Sequence, residues 1–460
     1  MGKAFDIQPR AVALVDTGFR RIVTKIPAPQ SLEVLEILHR FEPVSMTGQP
    51  PIVWDKAEGC QVYDRYGNMW LDWSSGVLVT NAGHGAKEVK DAILNQVEKG
   101  LLHNYCFPSA ERAALVQYLA GLCPEPLKKV FLLTTGSEAT ECAVKLSRTH
   151  GQRVGGKRKN GIVSFQAAFH GRTLGAQMIG GIPALKEWIV NLDPDTHQVP
   201  FPDGFRTEDT RFEVFMGTLE EQRVRPGQVA GVILETYQGG SASFAPKEYI
   251  QKLARWCREH NVLLTFDEIQ AGFGRTGTLF GFEHYGVVPD LICCGKGISS
   301  SLPLSAVIGR PDVMDLYGPA EMTSTHTGNP VCTASALASL RRIVEGGLVE
   351  NAKAMGDVLL DGLEQIQKRH PRIIGAVQGR GLVAGLHMVK AGGKEPDGDL
   401  AFLVVQKAFQ KGLLMFAPVG VGGATVKIAP PLPIAKDAVL DGLSALGEAI
   451  DEATRELGLN

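Results

Sequence analysis

The stretch that decides the fold lies between residues 261 and 297: NVLLTFDEIQAGFGRTG at 261–277, then PDLICCGKG at 289–297. Each segment contains a short apolar run that fits a buried strand. Asp267 stands at the carboxyl end of the first run, and Lys296 stands just past the end of the second. In parallel sheets that edge is where ligands bind, so both residues are candidates for a functional site.

Short β-branched runs alternate with helix-like stretches through residues 85–330, at KKVFLLTT, GIVSFQ, GVILETY, VLLTFDE and DLICCG. This alternation predicts an α/β fold with a mostly parallel sheet and helices on both faces. A predicted hairpin, QVYDRYGNMWLDW, and the mixed patterns near the C-terminus indicate a smaller α+β domain built from both chain ends. The predicted division is 1–80 for the N-terminal segment and part of the small domain, 81–330 for the large domain, and 331–460 for the C-terminal small domain.

The composition is that of an ordinary globular enzyme, with 44% hydrophobic and 21% charged residues and 47 basic against 49 acidic groups. This charge balance argues against a nucleic-acid partner. The sequence contains neither a bilayer-spanning apolar run nor a signal-like N-terminus, so we expect a cytoplasmic protein without a membrane partner. Eight cysteines without a CxxC pair and 11 histidines without an HExxH pattern argue against a metal site.

Lys296 lies between Gly295 and Gly297, which lets a cofactor approach closely. Desolvation at such a position lowers the pKa of a lysine and makes it a nucleophile that can form a Schiff base. Asp267 nearby would stabilise a protonated pyridine nitrogen, the electron sink of pyridoxal phosphate. Taken singly, Lys296 also fits a solvated loop lysine, and Asp267-Glu268 fits a strand-end pair that caps the following turn. A nucleotide-binding P-loop does not fit, because glycine follows the lysine where Ser or Thr is required.

Two hydroxyl-rich turns are candidate phosphate sites. In TTGSEATECAVKLSR the apolar spacing predicts a helix that begins near Ser137, and Gly136 lets backbone N–H groups face an anion at its positive end. In TSTHTGNP, Thr325 and Thr327 precede a turn. The alternative for both segments is an ordinary helix cap with no ligand.

The segment SFQAAFHGRTLGA places an aromatic residue, a histidine and an arginine at the end of a predicted strand. Phe169 offers a face for stacking on a pyridine ring, with His170 beside it, and the guanidinium of Arg172 can hold a carboxylate in a fork. The alternative is that Phe169 belongs to the core and Arg172 forms a surface ion pair. The joint order of these motifs along one βαβ chain favours a shared site.

Over roughly residues 45–450 the sequence resembles the class-III aminotransferases, a subgroup of the fold-type I pyridoxal-phosphate enzymes that includes 4-aminobutyrate and ornithine aminotransferases. The likeness rests on TFDEIQAGFGRTG, PDLICCGKGISSSLPLSAVIG, TTGSEA, FHGRT, TGNP and IAPPL. It implies a fold-type I transferase whose large domain binds the cofactor. It also implies a homodimer, or a dimer of such dimers, with shared active sites.

The resemblance also implies a role in cofactor binding for each matching residue. The implied contacts are a Schiff base at Lys296, the pyridine nitrogen at Asp267, the ring hydroxyl at Gln270, the ring face at Phe169 with His170 beside it, and the phosphate at Gly136, Ser137 and Thr325 of the second subunit.

Two departures from the family pattern concern the substrate. The family segment EPxQGE here reads ETYQGG, so Gly240 replaces a glutamate that gates a substrate-binding arginine, and Lys427 replaces that arginine in TVKIAPPL. Lysine lacks the planar fork that clamps a carboxylate with two bonds, which argues against specificity for 2-oxoglutarate. Arg172 and Glu235 are retained for a substrate carboxylate, and Val77 implies a hydrophobic wall.

We therefore expect a transaminase that moves an amino group from an amine or amino acid to a 2-oxo acid, with pyruvate favoured over 2-oxoglutarate. A racemase, epimerase or decarboxylase of the same family remains an alternative, because an enzyme with one substrate needs no switch between two acids. An intact Lys296 and Asp267 argue against a catalytically silent scaffold. A NAD-dependent oxidoreductase is disfavoured because QGRGLVAGL departs from the spacing of a dinucleotide-binding loop.

Overall fold

The structure, a computed structural model, describes residues 3–459; residues 1, 2 and 460, at the outer ends of the predicted domains, lie outside the described residues. The described chain divides into two units. The central unit comprises Lys87–Gly239 and Ser243–Gly347. The other, here called the terminal unit, comprises the described residues up to Ala86, the short segment Gly240–Ala242 and the described residues from Leu348 onward.

Strands are numbered along the described chain as β1 (Val15–Asp16), β2 (Arg21–Ile22), β3 (Lys56–Glu58), β4 (Gln61–Tyr63), β5 (Met69–Asp72), β6 (Lys129–Leu133), β7 (Gly161–Phe165), β8 (Thr196–Val199), β9 (Val229–Glu235), β10 (Leu263–Asp267), β11 (Leu291–Cys294), β12 (Ser305–Gly309), β13 (Ile374–Arg380), β14 (Val383–Met388), β15 (Leu413–Leu414) and β16 (Thr425–Ile428). Helices are numbered as α1 (Leu32–Phe41), α2 (Ser75–Leu78), α3 (Lys87–Glu98), α4 (Ala110–Leu122), α5 (Gly136–Gly155), α6 (Leu174–Ile179), α7 (Phe212–Glu221), α8 (Lys247–Glu259), α9 (Pro311–Met314), α10 (Pro330–Glu345), α11 (Leu348–Arg369), α12 (Gly398–Gln410) and α13 (Lys436–Glu456).

The central unit is built on a seven-stranded sheet in the order β6-β12-β11-β10-β9-β7-β8. The strands from β8 to β11 pair in parallel, whereas β12 runs antiparallel to both β11 and β6. Every residue of β9, β10, β11 and β12 is buried, which requires cover on both faces of the sheet. The predicted mostly parallel sheet is therefore confirmed, with β8 and β12 as additions to the five predicted strands.

The terminal unit contains two antiparallel sheets. The first has the order β1-β2-β5-β4-β3, and its β4 and β5 confirm the predicted hairpin. Strand β15, from the far end of the chain, pairs in parallel with β5. The second sheet has the order β13-β14-β16. Both chain ends thus build this unit, as the sequence predicts.

Apart from the segment Gly240–Ala242, the chain passes from one unit to the other at 86/87 and at 347/348. The sequence pattern predicts domain boundaries at 80/81 and 330/331. Helix α10 accounts for the later position of the second boundary, because it packs against α3 of the central unit, where Arg342 and Glu88 form an ion pair of 2.9 Å. A sequence pattern marks where such a helix starts but not which unit it packs against.

Three further features bear on the functions that the composition disfavours. Of the helices that the structure describes, none combines the length and apolar character needed to cross a bilayer. Within residues 3–459, no group of three His, Cys, Asp or Glu side chains is arranged to hold a metal ion. Cys293 and Cys294 are buried in β11, where burial raises the pKa of both thiols and keeps them protonated.

Candidate active site

Lys296 and Asp267 lie at the same edge of the central sheet. Strands β10 and β11 are parallel neighbours in which Asp267 pairs with Cys293, so Lys296 follows that level by three residues. Lys296 adopts a left-handed backbone conformation, φ 48°, which is rare for a residue with a side chain and is found mainly at functional positions. Burial lowers the pKa of the Lys296 ammonium, and the charges of Asp267 and Glu235 oppose that shift. A larger neutral, nucleophilic fraction of the amine follows.

The Asp267 carboxylate is buried and held by two donors. His170 Nδ1 lies 2.8 Å from one oxygen, and the Ile269 N–H donates to the other at 3.1 Å. Burial opposes protonation of His170, but the hydrogen bond to Asp267 and the charges of Asp267 and Glu235 outweigh it and raise the pKa of the imidazole. The sequence places His170 next to Phe169, and the structure shows the His170 ring hydrogen-bonded to the Asp267 carboxylate.

Glu235 lies at the end of β9, directly beside Asp267 in the register of the two strands. One of its oxygens accepts the Phe169 N–H at 3.0 Å, and the other accepts the Gly239 N–H at 2.9 Å. The side chain is 4% exposed. Glu235 therefore fixes the backbone of two neighbouring segments. The family resemblance implies only a contact with substrate and did not indicate these hydrogen bonds.

Phe169, Arg172 and Ser137 form a connected group. The Arg172 guanidinium lies 5.7 Å from the centre of the Phe169 ring, and the Arg172 N–H donates to Ser137 Oγ at 3.2 Å. Between them, Gly171 leaves no room for a side chain, because an added Cβ would lie 2.2 Å from Ser137 Oγ. The structure thus brings the TTGSEA and FHGRT segments together, with the Arg172 side chain exposed.

Helix α5 begins at Gly136, one residue before the predicted start. Thr135 and Glu138 form a capping box, in which Thr135 Oγ1 accepts the Glu138 N–H and Glu138 accepts the Thr135 N–H at 2.8 Å. The first N–H groups of a helix have no acceptor within the helix, so those of Gly136 and Ser137 face outward at its positive end. Such a terminus is suited to a phosphate.

The two candidate threonines before α10 have different surroundings. Thr327 is 6% exposed, and its hydroxyl donates to the Leu132 carbonyl of the same unit. Thr325 is exposed. The sequence pattern treats the two alike, whereas the structure leaves only Thr325 accessible to a ligand or a second subunit.

Gln270 follows Asp267 by three residues at the same sheet edge. Its side chain is partly buried, and the Tyr237 hydroxyl lies 3.4 Å from the Gln270 carbonyl and 3.5 Å from Gln270 Oε1. Tyr237 is 1% exposed, and burial raises the pKa of its hydroxyl well above the usual range. The neutral phenol is therefore a donor that helps to orient Gln270.

Val77 lies in the terminal unit on a turn of left-handed helix. Ser75, Gly76, Val77 and Leu78 all have positive φ, between 51° and 64°. For residues with a side chain this conformation costs roughly 1–2 kcal/mol each. The turn is anchored where the Ser75 hydroxyl donates to the Ala429 carbonyl. Val77 itself is 43% exposed.

A buried polar network lies at the base of this turn. Asp72 accepts from the Ser74 hydroxyl and N–H through one oxygen, and from His84 Nε2 at 2.7 Å through the other. The Ser74 hydroxyl in turn accepts the Gly76 N–H at 3.1 Å. The network offsets part of the strain of the turn.

Lys427 lies on β16 of the terminal unit and is 1% exposed. It pairs with Gly385 of β14 in the register of the two antiparallel strands. Such a lysine is not a solvated surface residue, and a buried ammonium requires acceptors or an anionic partner. The predicted substrate residues Val77 and Lys427 thus both belong to the terminal unit.

Glu268 follows Asp267 at the end of β10, where the sequence pattern also fits a pair that caps the following turn. It is fully buried and accepts the N–H groups of Gly281 and Phe282 at 2.8 Å, together with the Thr236 hydroxyl. It thereby ties the end of β10 to the loop that follows. Burial raises the pKa of Glu268 to about 7, because it outweighs these donors.

We expect Glu268 to make stability depend on pH. Between its ordinary pKa near 4.5 and about 7, the folded chain holds a proton that the unfolded chain has lost. The free energy of unfolding should therefore fall as pH rises through this window, by at most about 3 kcal/mol, and level off above it. Urea unfolding of wild type and Glu268→Gln at pH 5 and pH 8 measures this contribution. Parallel pH profiles for the two proteins would contradict it.

Comparison with known proteins gives a consistent result for the whole chain. The family model described as aminotransferase class-III matches residues 44–450. The chain is 33% identical to a 4-aminobutyrate aminotransferase of Mycobacterium leprae, over 94% of this chain and 98% of that protein. It is also 31% identical to an alanine/serine racemase of Pyrococcus horikoshii, over 97% of this chain and 96% of that protein.

Among solved structures, the chain is similar to a thermostable (S)-enantioselective omega-transaminase from Thermomicrobium roseum. The TM-score is 0.84 at 28% identity, and the match covers 92% of this chain and 99% of that chain. The likeness therefore extends over nearly the full length of both chains.

Proposed function

The chain belongs to the class-III aminotransferases and is a pyridoxal-phosphate-dependent transaminase of fold type I, and on that premise we propose that it transfers amino groups from an amine or amino acid preferentially to pyruvate. The observation that carries the proposal is Lys296 beside the buried Asp267–His170 pair at one sheet edge. The central unit would be the cofactor-binding domain.

The residues of this edge fit the cofactor by their chemistry. The outward N–H groups of Gly136 and Ser137 would take the phosphate, and the ring would lie against Phe169. Asp267 would face the pyridine nitrogen, and Gln270 the ring hydroxyl. When bound, the cofactor supplies an electron sink for the bond that breaks at the substrate carbon.

Lys296 would act in two ways. Its lowered pKa makes the neutral amine available for the covalent link to the cofactor. Once displaced by the substrate amine, the same nitrogen would take a proton from the substrate α-carbon as a general base and deliver it to C4′ of the cofactor as a general acid.

Asp267 and Glu235 would hold the site in its working arrangement. The His170 N–H orients the Asp267 carboxylate, and a carboxylate at this position would favour a protonated pyridine nitrogen. Glu235 fixes the Phe169 backbone and so sets the position of the ring. Arg172, exposed beside Phe169, would bind a substrate carboxylate.

Val77 and Lys427 would set substrate range. Val77 would provide an apolar wall, and Lys427 would meet a carboxylate of the acceptor with a single point charge. Without the two-bond clamp of an arginine, 2-oxoglutarate should lose a contact worth about 1.5–3 kcal/mol. Pyruvate has a single carboxylate, which Arg172 would bind, so the missing clamp should lower its binding energy less.

We expect pyruvate to give a specificity constant about one to two decades above that of 2-oxoglutarate. Lys427→Arg should raise the constant for 2-oxoglutarate selectively, because the guanidinium restores a bidentate contact. Steady-state rates with both acceptors measure this, and Lys436→Arg, an exposed lysine of the same unit, is the matched control. Equal wild-type turnover of both acids, with no selective effect of Lys427→Arg, would refute this assignment of the pocket.

A racemase is the second candidate, since the relatives include an alanine/serine racemase and a leucine/methionine racemase. Such an enzyme returns the proton to the opposite face of the same carbon and needs no acceptor. Incubation of single amino-acid enantiomers with and without pyruvate, followed by chiral analysis, separates the two functions. Inversion without an acceptor would favour the racemase.

We also propose a homodimer with shared sites, or a dimer of such dimers. Thr325 is exposed, whereas Thr327 is buried in a hydrogen bond of its own unit. Thr325 is therefore the hydroxyl available to reach the phosphate of a second subunit.

A further inference from the structure

The segment Gly240–Ala242 is the tip of a hairpin that belongs to the terminal unit, although the residues on either side belong to the central unit. The Gln238 N–H donates to the Ser243 carbonyl at 2.8 Å and closes the neck of the hairpin. At the tip, the Ser241 carbonyl lies 3.1 Å from His387 Nε2, which must donate because a carbonyl only accepts. Ala242 is completely buried. The tip is thus a packed element.

This tip covers one face of the sheet formed by β13, β14 and β16. A Cβ added at Gly385 would lie 2.4 Å from the Ser241 carbonyl oxygen, which shows the face on which the tip packs. Gly385 pairs with Lys427, and His387 pairs with Thr425. Residues directly opposite each other on antiparallel strands project from the same face. Lys427 therefore projects from the face that the tip covers.

The loop before β16 holds the tip in place by contact between backbones. Val419 and Thr425 exchange two backbone hydrogen bonds at the base of the loop. A Cβ added at Gly420 would lie 2.6 Å from the Gly240 carbonyl oxygen and 2.6 Å from Thr425 Oγ1. A Cβ added at Gly240 would lie 3.1 Å from Gly420 Cα. The contact leaves no room for a side chain at Gly420 and little room at Gly240.

We propose that Gly420, through its backbone contact with Gly240, is a specificity-determining residue that fixes the hairpin tip over Lys427 and restricts the acceptor to short 2-oxo monocarboxylic acids. This inference rests on the proposed function, in which Lys427 meets the acceptor. A longer dicarboxylate needs space beside Lys427 that a mobile side chain at residue 240 can open. Two backbones in contact cannot open it. The missing glutamate is then a consequence of packing and cannot be restored by one substitution.

The first test compares Gly420→Ala with Gly156→Ala. The two glycines share one backbone conformation, φ 76° and ψ −166° at Gly420 and φ 76° and ψ 175° at Gly156, so both substitutions carry similar backbone strain. Among the described residues, an added Cβ meets nothing within 4 Å at Gly156, whereas at Gly420 it meets the tip. We expect Gly420→Ala to melt at least about 3 °C below Gly156→Ala and to lower the ratio of the specificity constants for pyruvate and 2-oxoglutarate about 10-fold. Gly156→Ala should keep the wild-type ratio.

The second test restores the family's charged pair in two steps. Gly240→Glu combined with Lys427→Arg should melt below Lys427→Arg alone and should use 2-oxoglutarate no better than Lys427→Arg alone, because Gly420 leaves the glutamate no room to pair with the new guanidinium. If Gly420→Ala does not fold, Gly240→Ala, whose φ lies outside the left-handed region, takes its place and is compared with wild type.

The outcomes separate this inference from the proposed function. A wild-type protein that transfers no amino group to any 2-oxo acid would refute the proposed function, and the acceptor part of the inference with it. The backbone contact is decided independently by the melting temperatures of the cofactor-free variants. Equal melting temperatures and equal ratios of the two specificity constants for Gly420→Ala and Gly156→Ala would overturn the inference. So would better use of 2-oxoglutarate by the double variant than by Lys427→Arg alone.

Discussion

Lys296→Ala is expected to abolish the covalent link to pyridoxal phosphate and to lower amino transfer by about 10⁴-fold or more. The substitution removes both the nucleophile and the proton carrier at one position. Borohydride reduction followed by peptide mass analysis should find the cofactor on the peptide that contains Lys296 in wild type and on none in the variant. Reduced cofactor on another lysine would overturn the assignment.

Lys186→Ala is the matched control for this experiment. Lys186 is also a central-unit lysine whose pKa is lowered by burial, and its ammonium donates to the Gly180 carbonyl at 2.8 Å. It should keep the reducible link and most of the activity. Desolvation of a lysine would then be insufficient for the covalent link to the cofactor. The link would depend on the position of Lys296 just beyond β11.

The same variant tests the shared site. Lys296→Ala mixed with Thr325→Ala should regain part of the activity after subunit exchange, because one site of the mixed dimer then has both Lys296 and Thr325. Light scattering should give a mass of at least two chains. A fully active monomer would exclude the shared arrangement.

Asp267→Asn is expected to lower kcat by about 10²–10³-fold while the cofactor still binds. The amide has nearly the shape of the carboxylate but lacks the charge that favours a protonated pyridine nitrogen. The loss should appear in single-turnover amino transfer, and the absorbance of the bound cofactor should change its dependence on pH. A variant with wild-type rates and an unchanged titration would show that Asp267 does not face the ring nitrogen.

Asp290→Asn provides the control at the opposite end of the same sheet. Asp290 precedes β11, accepts the Leu264 N–H at 2.8 Å and pairs with Arg310 at 2.6 Å. Its loss should lower stability and leave the single-turnover rate near that of wild type. His170→Asn should give a single-turnover rate between those of Asp267→Asn and Asp290→Asn, because it removes only the donor that orients Asp267. It should also shift the dependence of that rate on pH.

The meeting of Lys296 and Asp267 at one edge was predictable from sequence, because two apolar runs of strand length end in charged residues and parallel neighbours share an edge. The pairing of His170 with Asp267 was not, since 97 residues separate them and no local pattern encodes the contact. Burial likewise distinguishes Thr325 from Thr327, which one motif presents as equivalents. The other strands were recognised because strand-like runs alternate with helix-like stretches. Strand β12 was missed because no α-helix separates it from β11.

The position of Gly240–Ala242 in the terminal unit could not be predicted from the sequence either. The glycine at residue 240 can be read as a departure from a family pattern, but its cause lies at Gly420, 180 positions away along the chain. Close packing of two backbones leaves no periodicity or charge pattern in either segment. The spatial contact accounts for glycine at residue 240, whereas Gly420 is required both by this contact and by its backbone conformation, φ 76° and ψ −166°.

The left-handed turn at Ser75–Leu78 has a consequence for how the substrate range of such an enzyme can diverge. Val77 is β-branched and exposed, so its conformation opposes folding, whereas glycine would adopt the same φ without strain. Substitutions at this residue should therefore cost the folded state little stability. If Val77 forms the proposed apolar wall, a lineage can exchange that wall for another side chain, or for none, without first acquiring a compensating mutation elsewhere.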